Sequence, residues 1–254
     1  METVVRLATS GPVKWVIFFI GVCAAWALLY LMHLPKAQLI EGFGAGVLSS
    51  LCITNITFVS LFGMWALMAG AMMAPTAIPM LTAYEDIRHT GAGSNAGYWA
   101  LLSGYLVVWI GFAIIAAAAQ KILFDARLLN FEGQSISPVL TASLLALAGI
   151  YQFTPMKQSC LRACQSPLMA FLGTWKPGTF AAFKMGLREG GFCLGCCWAL
   201  MLLAFVGGTM NLAFMGLGMA LMTLEKLPDI GRYISKPLGI LLLLTASGVT
   251  YGVL

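Results

Sequence analysis

Runs of about twenty apolar residues recur along this chain, as at 15–34 and 97–120. At about 1.5 Å per residue, a helix of that length crosses the roughly 30 Å of a bilayer's hydrocarbon core. Inside lipid every backbone N–H and C=O must be satisfied by the chain itself, so only helices or closed barrels remain. The runs are continuous rather than alternating, which argues against a barrel. Charged residues make up 9% of the chain and hydrophobic ones 60%, with a mean hydropathy of +0.91. A soluble domain carries about 25% charged residues. The expected fold class is all-α, a polytopic transmembrane helical bundle forming a single integral domain over 1–254.

Seven spans are expected, at about 15–34, 58–83, 97–120, 138–156, 185–206, 210–224 and 236–254. The first is longer than a signal-peptide core and ends at His33-Leu34-Pro35-Lys36 rather than at a small-x-small cleavage site. Residues 36–57 carry Gly42, Gly44 and Gly46 with Thr54, Asn55 and Thr57, and read as extramembrane or partly embedded. Pro75 and Pro79 should kink the second span, and Pro155 should bend the fourth. Gly207-Gly208-Thr209 predicts a tight turn. On this count eleven of the fourteen basic residues fall on the side of the N-terminus, including Lys14, Lys157 and Lys226. The positive-inside rule then predicts a bacterial inner-membrane protein with a cytoplasmic N-terminus and an external C-terminus. The net charge of +5 comes from these flanking residues and does not imply a nucleic-acid partner.

Sulfur dominates the candidate chemistry. Cys193, Cys196 and Cys197 fall within five residues, and Cys193, Cys197 and Met201 recur every fourth position. On a helix that spacing puts them on one face. Met156, Cys160 and Cys164 repeat the spacing, as do Met64, Met68 and Met72, with Met73 beside them. Three ladders meeting at similar depth would cage a soft cation, since thiolate and thioether select Cu(I) over harder ions. Seven cysteines, an odd number placed in or beside apolar spans, do not suggest a disulfide framework.

Each ladder also has a plain packing reading. Methionine is a flexible core filler, and a lone cysteine such as Cys23 or Cys52 is a small buried hydrophobe. Three adjacent thiols, however, gain nothing as packing units. Zinc is the alternative metal, through a four-thiolate closure by Cys160, Cys164, Cys193 and Cys196, and an iron–sulfur cluster is a further one. The Met-rich second span favours copper. His33 and His89 read as interfacial, and no paired histidines offer a catalytic metal centre. Glu189, one turn before Cys193, reads as a surface partner of Arg188 or Lys184, or else as a group supporting the thiols. Glu225-Lys226 reads as a solvated boundary. Gly186/Gly190 and Gly191/Gly195 are small-xxx-small pairs that would admit a neighbouring helix beside the cysteines.

Together these pieces resemble a bacterial family described as predicted metal-binding integral membrane proteins, some of whose members are labelled copper chaperones. The resemblance rests on Met64-Trp65…Met68…Ala71-Met72-Met73…Pro75, on Tyr151-Gln152…Pro155-Met156-Lys157…Cys160-Leu161…Cys164…Ser166-Pro167, on Gly190…Cys193…Gly195-Cys196-Cys197-Trp198-Ala199-Leu200-Met201, and on Met210-Asn211-Leu212…Glu225-Lys226. This chain departs from the pattern at Met156, where leucine is expected, and at Gln165, where arginine is expected. The resemblance implies metal binding more firmly than any activity. The leading expectation is a membrane protein that binds Cu(I) for delivery to, or storage for, a membrane cuproprotein or other copper-carrying partner. The alternatives are a copper-dependent membrane oxidoreductase acting on a lipophilic substrate, and a structural subunit stapled by zinc.

Overall fold

Capping and proline placement decide where the helices begin and break. The computed structural model describes residues 11–33, 57–166, 171, 173, 175–227 and 230–252. Helix α1 is Gly11–His33, followed by α2 (Phe58–Met73), a 3-10 turn at Pro75–Ala77, α3 (Ile78–His89) and α4 (Asn95–Asp125). Next come α5 (Pro138–Tyr151), α6 (Pro155–Gln165), α7 (Thr179–Met201), the short α8 (Ala204–Gly207), α9 (Leu212–Lys226) and α10 (Gly231–Thr250). Thr57 and Ser60 cap α2 reciprocally, each hydroxyl accepting the other residue's N–H. Ser94, Ser137, Thr154 and Asn211 cap α4, α5, α6 and α9 through their side chains.

The expected proline breaks are present. The α2/α3 pair bends by 42° across the 3-10 turn, and the α5/α6 pair by 64° before Pro155. Pro75 has no N–H to give Ala71, and the Ala71 carbonyl instead accepts the Trp26 indole N–H at 3.1 Å. The Ala77 N–H turns to Ala74, which leaves the Met73 carbonyl to accept the hydroxyls of Thr76 (2.8 Å) and Tyr105 (2.9 Å). A broken helix at membrane depth is tolerated only where neighbours re-satisfy it in this way.

Among the described residues four helices are long and apolar enough to cross a membrane: Val13–Met32, Asn95–Asp125, Thr179–Gly207 and Tyr233–Thr250. Counting each bent pair as one span gives six. The expected sixth span corresponds to α9, whose 15 residues make about 22 Å, short of the hydrocarbon thickness. The expected fifth span starts earlier than predicted, at Thr179, and the expected seventh at Gly231. The segment 36–56 lies outside the described residues.

α7 packs most closely on α4. A Cβ on Gly186 would stand 2.0 Å from the Leu101 carbonyl oxygen, and one on Gly104 2.3 Å from that of Phe183. Gly190 also faces α4, whereas Gly191 faces open space, so one of the two expected small-residue pairs makes this contact. At the end of the bundle carrying the 126–137 loop, the Trp65 indole donates to Gln120 Oε1 (2.7 Å). Gln120 in turn donates to Thr209 (3.3 Å), and the Thr209 hydroxyl to the Glu132 carbonyl (3.1 Å).

Three charges expected in the solvated flanks are buried. Lys14 donates to Glu85 (2.8 Å) and Asn95 (2.7 Å), and Glu85 also holds Arg88. Lys157 donates to both oxygens of Glu225, at 3.0 and 2.8 Å. Lys226 is buried as well, so Glu225-Lys226 is not a solvated boundary. These three lysines therefore lie inside the bundle and not in the flanking loops over which the positive-inside bias is counted.

Candidate metal centre

The sulfur-bearing faces of α6 and α7 meet because Gly195 lacks a side chain. A Cβ there would stand 2.6 Å from the Cys160 sulfur. The Tyr151 hydroxyl, at the C-terminal end of α5, donates to the Gly195 carbonyl, and its ring packs edge-on against Trp198 with centroids 5.0 Å apart. With the helices so close, Cys164 Sγ lies 4.0 Å from Cys196 Sγ, and Cys196 Sγ lies 3.2 Å from Cys197 Sγ. Cys193, Cys196 and Cys197 are buried, while Cys160 and Cys164 are half-buried; all are free thiols. Cys23 is free and stands apart from the other thiols on α1, but it is exposed and not the small buried hydrophobe expected; Cys52 lies outside the described residues.

The Cys164–Cys196 separation carries chemical information. A disulfide needs sulfurs about 2.05 Å apart. Two thiolates sharing one metal at bonds of about 2.3 Å stand roughly 3.8 to 4.6 Å apart, from tetrahedral to linear geometry. The observed 4.0 Å falls in that interval. The Cys196–Cys197 pair, at 3.2 Å, is closer than the roughly 3.8 Å between two thiolates on one tetrahedral metal. Among the described residues no three Cys, His, Asp or Glu side chains are gathered as a ready-made metal site. The arrangement is therefore a two-thiol contact across helices, not the closed four-ligand cage of a structural zinc site.

Cys193 sits in a polar cup that the sequence reading missed. Its sulfur lies 3.0 Å from the Tyr105 hydroxyl, 3.7 Å from the Thr76 hydroxyl and 2.9 Å from Lys226 Nζ, which donates to it. Both hydroxyls also reach the Met73 carbonyl, so each can give its one proton either there or to the Cys193 sulfur. Lys226 is the cation at the centre, and among the described residues it has no carboxylate within ion-pair distance. The available sequence signal was an ionisable residue ending an otherwise apolar helix, which in a membrane protein points to function by default. Glu189 is buried, not a surface group, and shows no hydrogen bond or ion pair among the described residues.

The methionines divide. Met64, Met68, Met72, Met73 and Met201 are buried in the same core cluster as the three thiols of α7. Met68, Met72 and Met201 line one small cavity, joined by Met215 and Met222 of α9, which sequence reasoning passed over. Met156 is 61% exposed at the first turn of α6 and lies outside that core.

Neither a curated protein nor a solved structure matches the chain. A family described as copper chaperone, PpoB2, matches residues 62–249. The match takes in both proline breaks, the paired thiols of α6 and α7, Tyr105 and Lys226. The chain thus belongs to the copper chaperone family PpoB2.

Proposed function

We propose that this protein binds Cu(I) as cargo within a membrane-embedded helical bundle, at the paired thiols of Cys164 and Cys196 with Cys160, Cys193 and Cys197 beside them. It would hold the ion for delivery to, or storage for, a membrane cuproprotein. The observation that carries the reading is the cross-helix pair Cys164–Cys196 at 4.0 Å, beside a buried ammonium 2.9 Å from Cys193. Cu(I) accepts two or three sulfur donors, which suits a two-thiol contact, whereas zinc asks for four. Charge counting points the same way. Two thiolates on Cu(I) carry one net negative charge, and Lys226 brings one positive charge, so the loaded centre is neutral where a net charge would be costly. A site that opens onto few fixed ligands also suits a cargo that must leave again.

The test is copper content and Cu(I) affinity of the purified chain, wild type against Cys193→Ser/Cys196→Ser/Cys197→Ser and against Cys164→Ser. Loss of copper from the triple variant and weakened binding in the single one are expected. Equal copper in the wild type and the triple variant would overturn the proposal.

A further inference from the structure

Three helices run their sulfur atoms toward Cys193, and on each the methionines come first. On α7 the order is Met201, Cys197, Cys193; on α2 and the 3-10 turn after it, Met68, Met72, then Thr76, which touches Cys193; on α9 it is Met215, Met222, then Lys226, which donates to Cys193. Each step of four residues is about 6 Å along a helix. The five methionines line a single cavity of about 20 Å³, and the rest of its wall is hydrocarbon and glycine. Two of them reach Gly218 with their methyl ends: Met72 and Met222 come within 3.5 and 4.0 Å of where a Cβ would stand there, ordinary van der Waals distances. About 10–15 Å³ suffices for one water-sized species, so the cavity admits a bare ion but no hydrated ion and no organic ligand.

We infer that this cavity is a second soft-metal site, an all-thioether seat for one Cu(I) or Ag(I). It stands about one helical turn from the thiols and passes the ion to them. The inference rests on the thiol-centre reading. The two seats differ in charge. Neutral thioethers leave the ion its full positive charge in a low-dielectric interior, which is unfavourable. Thiolates cancel that charge, so transfer runs from methionine to cysteine. Copper remains Cu(I) throughout. Copper–thioether bonds break as copper–thiolate bonds form, and each thiol that enters the coordination sphere releases one proton to water. Met215 and Met222 thereby gain a role that their exclusion from the predicted ladders did not suggest.

The experiment uses the full chain in detergent, titrated with Ag(I) and with Cu(I) under reducing conditions. A variant with all seven cysteines changed to Ser should still bind one ion through sulfur scatterers alone in X-ray absorption. Its affinity should hold from about pH 5.5 to 7.5, because thioethers need no deprotonation. In the wild-type background, Met72→Leu/Met222→Leu conserves volume and should slow loading of the thiols about tenfold, the equivalent of about 1.4 kcal/mol. A cysteine-free chain that binds no ion, or a Met72→Leu/Met222→Leu chain that loads like the wild type, overturns the inference. If the wild type binds at its thiols while the cysteine-free chain binds nothing, only this inference falls. If the wild type binds no Cu(I), the thiol-centre reading falls with it.

Discussion

Replacing Glu225 with Gln should loosen the proposed metal centre without touching a sulfur atom. Lys157 and Glu225 are 0% and 2% exposed at the side chain, and the ammonium donates to both carboxylate oxygens. At the shorter contact of 2.8 Å, an effective dielectric of about 20 gives an attraction of about 6 kcal/mol before desolvation is subtracted. Removing one partner of such a pair strands the other, at a cost of about 3–5 kcal/mol. The pair clamps the last turn of α9 to α6. Gln165 adds a hydrogen bond to the Glu225 carbonyl at 2.9 Å, and the neighbouring Lys226 reaches Cys193. Opening of that turn uncovers thiols that are now 1–2% exposed. Labelling of Cys193, Cys196 and Cys197 by a thiol reagent reads the opening equilibrium when reclosure is fast. Glu225→Gln and Lys157→Met should each raise the labelling rate by about two to four powers of ten, the equivalent of 3–5 kcal/mol. The double change Lys157→Met/Glu225→Leu leaves no orphan charge and should return the rate to near wild type or below. Single variants that label within about threefold of the wild type would mean the pair contributes no more than an exposed one, and the clamp argument would fail.

Lys226→Met should weaken Cu(I) binding about a hundredfold in chelator competition, because a two-thiolate complex loses its counter-charge; unchanged affinity would remove Lys226 from the centre. Gly195→Ala keeps every ligand yet places a Cβ 2.6 Å from the Cys160 sulfur. It should push α6 off α7 and lower Cu(I) affinity while the helical circular dichroism stays intact. Gly186→Ala sets a Cβ 2.0 Å from backbone on α4, which cannot yield as a side-chain tip can. It should cost about 1–3 kcal/mol or more in detergent denaturation. Gln120→Leu strands the Trp65 indole N–H and should cost about 1–3 kcal/mol, with copper content unaffected.

The class of this protein was legible in its residues, because a bilayer forbids unsatisfied backbone and so ties long apolar runs to helices. Pro75 and Pro155 marked the two breaks for the same local reason: a missing N–H. The clustering of Cys193, Cys196 and Cys197 on one helix also needed nothing beyond spacing. What residues up to 117 positions apart do to one another is not local. That the Met73 carbonyl, freed near Pro75, would recruit Tyr105 beside Cys193 depends on how α2, α4 and α7 pack. That Glu225 and Lys226 would turn inward, one to Lys157 and one to Cys193, depends on where α9 lies against α6 and α7. Burial of charge was invisible in a string where each lysine looks alike, since desolvation and pairing are properties of three-dimensional surroundings. Met156 and Met72 share the same kind of ladder spacing, yet one faces outward and the other lines a cavity. Periodicity assigns a residue to a face of its helix, and only the neighbouring helices decide what that face meets.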